Sequence, residues 1–176
     1  MNRPAVYFVT GISGSGKTSV ARELIKRGYV ALDSKVTKGI FHFTDENGAE
    51  AVDFRPKDPE WSQKYKWVLN VPMLEQAIGD NSDKPYIFVC GRGNIRQHWN
   101  LAQKVFLLQV DEETMLARLN DPKRDNIFAK DKETQQKLKD NLEFVQRSLK
   151  NAGAIVIDAK QPLNNVVETI LSYISS

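Results

Sequence analysis

YFVTGISGSGKT, residues 7–18, is the stretch from which the rest of the chain is read. An apolar strand, residues 5–9, runs into a glycine-rich turn. In it Gly11, four intervening residues, Gly16, Lys17 and Thr18 spell G-x-x-x-x-G-K-[ST]. Glycine has no Cβ to block the approach of a phosphate, so the backbone can fold round one with its N–H groups pointing inward. The amphipathic run SVARELIKR predicts a helix over residues 16–27. Its first turn aims unpaired N–H groups and a positive dipole end at the same anion. This assigns phosphate binding to Gly11, Ser13, Gly14, Ser15 and Gly16. Lys17 becomes the donor to the β- and γ-phosphates and the Thr18 hydroxyl a Mg²⁺ ligand.

The 176-residue chain as a whole fits one domain with a substantial core. Apolar and charged fractions of 41% and 27% are those of an ordinary globular protein, not of a disordered or membrane chain. The longest apolar runs, YIFVC and VFLL, are strand-length and too short to span a bilayer. MNRPAVYFVT enters the first strand directly, so no signal peptide is expected. A single cysteine, Cys90, rules out an internal disulfide and suits a reducing, cytoplasmic setting. The formal charge of +3 is slight, so no nucleic-acid partner is expected from charge alone. Monomer and homodimer stay equally open.

Outward from residue 28 the pattern is an α/β alternation. Gly28 stands where a left-handed helix cap belongs, and strands are expected at residues 29–33, 86–90, 105–110 and 154–157. Helices are expected around residues 95–101, after Asp111, after Asp131 and from Pro162. The apolar stripe Leu138, Leu142, Val145 and Leu149 marks the inner face of the helix after Asp131. Five strands joined by helices make a parallel sheet with right-handed crossovers. Residues 34–79 read as an insert. It contains a small hairpin in residues 39–53 turning at Asn47-Gly48, a helix capped by Asp58 and carrying Trp61, Tyr65, Val68 and Leu69, and a second helix restarted at Asn70 and Pro72. Residues 119–133, charged and aperiodic, are either a solvated loop or a lid.

Chemistry beyond phosphate binding has to come from other groups at the same sheet edge. Asp33, at the end of the second strand, is placed to orient a hydroxyl, act as general base or hold a Mg²⁺-bound water; its alternative role is a turn cap. Arg118 and Arg124 are the cations placed to stabilise a transferring phosphoryl group, or else they make surface ion pairs. In the Gly91-Arg92-Gly93-Asn94 turn, Gly91 permits close approach of a ligand and Arg92 can grip an acidic one, although ordinary turn chemistry explains the glycines equally well. The third strand ends in Cys90 and supplies no carboxylate for metal. Trp61 and Tyr65 read as core. His42 and His98 stand apart from any ligand set, so zinc is not expected.

Taken together, GISGSGKT, YVALDS, DENG, KYKWVLN, the CG turn, FLLQVDEETMLARL, RDNIFAKD and VIDAKQPLNNVV resemble the small P-loop kinases of the nucleoside monophosphate kinase and shikimate kinase-like group. The closer resemblance is to bacterial AAA-family ATPase or nucleoside-kinase-like proteins. It implies a three-layer α/β P-loop NTPase fold with a five-stranded parallel sheet and helices on both faces. It further implies ATP and Mg²⁺ as cofactors and transfer of the γ-phosphoryl group to a small-molecule acceptor, a nucleoside or nucleotide first and a sugar or sugar acid second. An ATPase or polynucleotide-directed enzyme is the alternative. By the same resemblance Arg118 and Arg124 fall where such kinases carry lid arginines, Asp33 at the acceptor-contacting strand end, and Asp158, Ala159 and Pro162 at the turn that packs on adenine. Lys35 replaces a second acidic residue and GRG a three-glycine turn, which departs from shikimate kinases.

Overall fold

In the computed structural model, residues 3–55, 57–123 and 131–174 are described. Along the chain come β1 (Ala5–Thr10), α1 (Lys17–Lys26), β2 (Val30–Asp33), β3 (Phe41–Thr44), α2 (Pro59–Lys64), β4 (Lys66–Leu69) and α3 (Val71–Asp80). Then follow β5 (Tyr86–Cys90), a 3₁₀ helix (Ile95–Leu101), β6 (Lys104–Gln109), α4 (Glu112–Asn120), α5 (Lys132–Asn151), β7 (Ile155–Asp158) and α6 (Leu163–Ser172).

Five strands form a parallel sheet in the order β2-β5-β1-β6-β7. The strand that feeds the glycine-rich turn is therefore central and paired on both edges. Side chains alternate between the two faces of a strand. Tyr7 and Val9 join Phe88, Phe106 and Leu108 under Val20 and Leu24 of α1 and Val167 and Ile170 of α6. Val6 and Phe8 join Ile87, Val89 and Leu107 beneath Leu74 and Ile78 of α3. Helices thus cover both faces, and strands buried on both sides read as continuous apolar runs, as YIFVC does. Burying one of the central rings, such as the fully enclosed Phe8 or Phe88, is worth about 1.5–3 kcal/mol. The turn after β1 consequently starts from the best-anchored part of the chain.

The expected helix starts are present. Asp58 accepts from the Glu60 and Trp61 amides with Pro59 in the first helical position, Asn70 from Met73, Asp111 from Thr114, and Asp131 from Glu133 and Thr134. Each satisfies amides that have no partner within the helix.

The insert departs from expectation in two places. The helix carrying Trp61 ends at Lys64, Tyr65 is extended, and Lys66–Leu69 is a strand antiparallel to β3, with Phe43 opposite Trp67 and His42 opposite Val68. Val68 and Leu69 are therefore not helical. The cross-strand rings explain why: Phe43 and Trp67 lie 4.7 Å apart and Phe41 stacks on Trp67 at 6.0 Å, contacts that a helical Trp67 would forfeit. The hairpin expected in residues 39–53 is present but short, its return arm held by the Ala51 amide donating to the Phe43 carbonyl at 2.9 Å. The Asp45 amide donates to Ala49 at 2.9 Å and a single bridge joins Thr44 to Glu50, while the ladder partner of β3 is β4. Phe43, Phe54, Trp61 and Tyr65 add a second ring cluster, and the Trp61 indole donates to the Asp53 carbonyl at 3.1 Å.

On α5 the buried positions are Leu142 and Gln146, with Val145 and Leu149 only half-buried. The apolar stripe is thus a residue out of phase at its second half. No helix among the described residues is long and apolar enough to cross a membrane.

Candidate functional site

The turn after β1 has the shape of an anion cradle. Gly11 takes φ +153, and a Cβ there would lie 2.6 Å from Ser15 Oγ and 2.9 Å from the Leu108 carbonyl. Only glycine fits. The Ser15 amide donates to the Ile12 carbonyl at 3.1 Å, closing the loop, while Ser15 Oγ is buried without a hydrogen-bond partner. At the head of α1, Gly16 supplies no side-chain cap, so the first amides of the helix are left for an outside acceptor. A buried orphan hydroxyl and an uncapped helix terminus facing one loop are what a bound phosphate would satisfy. Ser13 and Gly14 complete the loop between them.

Lys17 folds back over this loop, donating to the Gly11 carbonyl at 2.8 Å and to the Ile12 carbonyl at 2.9 Å. Burial of the ammonium, and secondarily the Arg92 guanidinium opposite it, lower its pKa to about 8, against the opposing pull of Asp33. Next to it, Thr18 Oγ1 donates to Asp33 Oδ2 at 3.1 Å, and Asp33 Oδ1 accepts from the Lys35 amide at 2.9 Å. Asp33 is 1% exposed. It therefore fills the turn-cap role and reaches the glycine-rich loop as well.

Among the described residues no cluster of three or more His, Cys, Asp or Glu side chains is placed to hold a metal. One hydroxyl backed by one carboxylate nevertheless fits Mg²⁺, which keeps several waters and draws its other ligands from substrate phosphates. Thr18 would be the direct ligand and Asp33 the partner of a metal-bound water.

On the outer side of the loop, a cavity of about 160 Å³ is bounded by Ser19, Val20, Arg118, Ala159, Gln161 and Leu163. Arg118 joins its walls, donating to the Ser15 carbonyl at 3.1 Å, to Gly14 at 3.5 Å and to Ala159 at 2.6 Å. The Asp158 carboxylate shapes the turn by accepting from the Lys160 amide and from Gln161 Nε2, and Pro162 leads into α6. Arg118 is thereby set toward the outer wall of the loop, whereas Lys17, Thr18 and Asp33 occupy its inner side.

The turn after β5 holds a correction. A Cβ on Gly91 would lie 2.0 Å from the Phe41 ring, and one on Gly93 would lie 2.5 Å from the Trp67 carbonyl. The space in front of Gly91, expected to admit a ligand, is filled by the insert. Arg92, between the two, is exposed but close enough to Lys17 to repel its charge.

Residues 8–138 match the AAA domain family. The chain belongs to that family. It is also similar to a nucleotide-binding protein of Desulforapulum autotrophicum, 24% identical over 148 residues that make up 79% of this chain and 42% of that protein. The chain thus spans less than half the length of that relative. Among solved structures, shikimate kinase from Acinetobacter baumannii in complex with shikimate superposes with a TM-score of 0.59 at 21% identity, over 98% of this chain and 93% of that one. Deoxyadenosine kinase from M. mycoides with bound dATP gives 0.54 at 16%, over 98% and 100%. A gluconokinase from Sinorhizobium meliloti 1021 gives 0.53 at 18%, over 99% and 94%. The fold is that of a P-loop kinase.

Within this AAA domain the expected residues divide into two groups. Lys17, Thr18, Asp33 and Arg92 share the inner side of the loop; Arg118 and Ala159 bound the cavity on its outer side. Asp158 and Pro162 shape the turn rather than line that cavity. Arg124, the other cation expected to act, lies outside the described residues. Sequence reading missed Ser19 and Gln161, which carry no motif, and Phe41, whose role is visible only as the ring that excludes any side chain at Gly91.

Proposed function

We propose that this AAA domain is an ATP- and Mg²⁺-dependent phosphotransferase that moves the γ-phosphoryl group to a small-molecule acceptor, a nucleoside or nucleotide first and a sugar or sugar acid second. The observation that carries the reading is the Thr18–Asp33 contact beside Lys17. A glycine-rich loop shaped for phosphate, a hydroxyl that would hold Mg²⁺ and one carboxylate meet at one edge, and Arg92 lies on the side of Lys17 rather than of the cavity bounded by Arg118 and Ala159. The likeness to shikimate, deoxyadenosine and gluconate kinases supports the class of reaction.

In this reading the loop amides and Lys17 hold the β- and γ-phosphates, and Mg²⁺, when bound, neutralises charge between them. Asp33 has both oxygens engaged, which favours positioning of the metal's water over proton abstraction. The cavity bounded by Arg118, Ala159 and Leu163 would take the base, with Arg118 bracing the loop against it, and Arg124 is the candidate for the charge of the transferring group. Residues 34–79 cover the acceptor, keeping water from the γ-phosphate; residues 124–130, the middle of the segment expected as a loop or lid, lie outside the described residues. The test is transfer of label from γ-labelled ATP to a panel of nucleosides, nucleotides, sugars and sugar acids, with Lys17→Ala as control. Labelled product that disappears in the control is expected. Labelled inorganic phosphate alone, whatever the acceptor, would overturn the reading.

A further inference from the structure

The turn between β7 and α6 is pinned to its surroundings. The Ala159 amide donates to the Gln109 carbonyl at 2.9 Å, the Ala159 carbonyl accepts from Arg118 at 2.6 Å, and the Pro162 carbonyl takes the Val166 amide of α6 at 3.1 Å. Within the turn the Asp158 carboxylate divides its oxygens: Oδ1 accepts from the Lys160 amide at 3.0 Å and Oδ2 from Gln161 Nε2 at 3.2 Å. Gln161 stands on the wall of the cavity beside the glycine-rich loop, where Val20, Ala159, Leu163 and Val166 offer apolar surface to a flat ring. Such walls grip the face of a base and carry no information about the groups on its edge.

The edge has to be read by polar groups, and the chemistry of this turn fixes their sense. The Lys160 amide and, after it, the Gln161 side chain hold the Asp158 carboxyl below the usual carboxylate range, so at neutral pH it is ionised and only accepts. A glutamine bonded to such a carboxylate has one orientation, its NH₂ toward Asp158 and its carbonyl away. Among the described residues nothing donates to Gln161 Oε1. The Ala159 carbonyl is already engaged by Arg118, and the Ser19 hydroxyl serves as donor or acceptor alike. We infer that Gln161 reads the edge of the nucleotide base, its Oε1 accepting from an exocyclic amine and turning away a base that carries a carbonyl in the same place. Within the nucleotide-binding reading on which this rests, the phosphoryl donor is a 6-aminopurine triphosphate. Asp158 is then a positioning residue that sets the choice without touching the base.

The experiment is calorimetry with the magnesium complexes of ATP, inosine triphosphate and purine riboside triphosphate, which carry an amine, a carbonyl and a bare hydrogen at the same ring carbon. Each is titrated into wild type, Gln161→Leu and Asp158→Asn. Gln161 is exposed, so its hydrogen bond competes with water and the discrimination is modest. ATP should bind about 10-fold tighter than inosine triphosphate, with the unsubstituted purine between them. Gln161→Leu should bring ATP and inosine triphosphate within about threefold of each other. Asp158→Asn is the sharper variant. Its Oδ1 keeps the Lys160 amide, which puts an NH₂ where Oδ2 was, so Gln161 has to reverse and present its own NH₂. Inosine triphosphate should then bind at least as tightly as ATP. Equal binding of the two by wild type would overturn the inference and leave the nucleotide site standing. So would an undiminished preference for ATP in Gln161→Leu, assigning the reading to the main chain, or in Asp158→Asn, freeing the glutamine from the carboxylate's control. No heat with any of the three would overturn the nucleotide reading and this inference with it.

Discussion

Thr18 Oγ1 and Asp33 Oδ2 meet at 3.1 Å, joining the first turn of α1 to the end of the sheet's edge strand. The hydroxyl's proton points at Asp33, which leaves its lone pairs for a metal. Residues that orient a metal ligand typically contribute 10- to 100-fold in metal affinity or activity. Asp33→Asn should therefore raise the Mg²⁺ concentration for half-maximal turnover by about 10- to 100-fold. Thr18→Ser should stay near wild type and Thr18→Ala should follow Asp33→Asn. An unchanged magnesium titration in Asp33→Asn would dismiss this role.

Lys17 makes nucleotide binding depend on pH. Its ammonium, brought to about 8 by burial and by Arg92, is the form that pairs with phosphate. Bound phosphates favour that form, so the value in the complex is higher. Below about pH 8 affinity should be flat; above it, binding takes up a proton and Kd should climb by up to about tenfold per pH unit. Removing the secondary cause with Arg92→Gln should move the onset upward. Calorimetry with Mg·ATP across this range is the check. For the unliganded fold the sign is opposite. The unfolded chain holds its Lys17 proton up to about 10.5, so stability should rise with pH between about 8 and 10.5.

Gly91 and Phe41 form a steric lock. An alanine Cβ at position 91 would lie 2.0 Å from the ring, and overpacking of this kind costs about 1–3 kcal/mol. Gly91→Ala should lose that much in urea unfolding, and Phe41→Ala should lose stability by leaving a void. The double variant should be less destabilised than the two losses added together. Simple additivity would mean that the ring moves aside freely.

The places where sequence reading held and where it slipped follow physical lines. The Gly11-to-Thr18 loop, the strand ending in Asp33 and the four side-chain caps depend on local chemistry, so they are readable from neighbouring residues. Trp67 and Leu69 obey a contact with Phe43 and Phe41 more than twenty positions earlier, and helical spacing in Trp61, Tyr65 and Val68 concealed it. Gly91 looked like ligand space because its occupant, Phe41, comes from the insert. Arg118 was recognisable as a cation near phosphate, but its engagement with the Ala159 carbonyl requires knowing that β7 lies beside β6.

That engagement predicts a split in kinetic effects. Arg118 holds three carbonyls on the loop and on the turn before α6. Arg118→Ala should raise the KM for ATP while the acceptor KM stays within about twofold, and Arg118→Lys should not rescue it, because one ammonium cannot span both walls. A rise confined to the acceptor KM would place this arginine on the inner side of the loop instead.

Gln146 was passed over for a reason that can itself be tested. In the stripe Leu138, Leu142, Val145 and Leu149 it looks like a surface residue, yet it is 7% exposed and holds the backbone of Val110 at both ends. Its Oε1 accepts from the Val110 amide at 2.9 Å and its Nε2 donates to the Val110 carbonyl at 3.1 Å. Val110 has just left β6, so its peptide groups have no ladder partner and α5 supplies one. Gln146→Leu would fill the volume but leave an amide and a carbonyl buried and unmatched. Each unsatisfied group costs about 1–3 kcal/mol, so the variant should unfold at clearly lower urea with an unchanged slope. Because Gln146 touches neither the glycine-rich loop nor Arg92, the KM for ATP and for acceptor should stay at wild-type values. A leucine variant of full stability would show that water reaches the end of β6, and that the glutamine is not what ties α5 to the sheet.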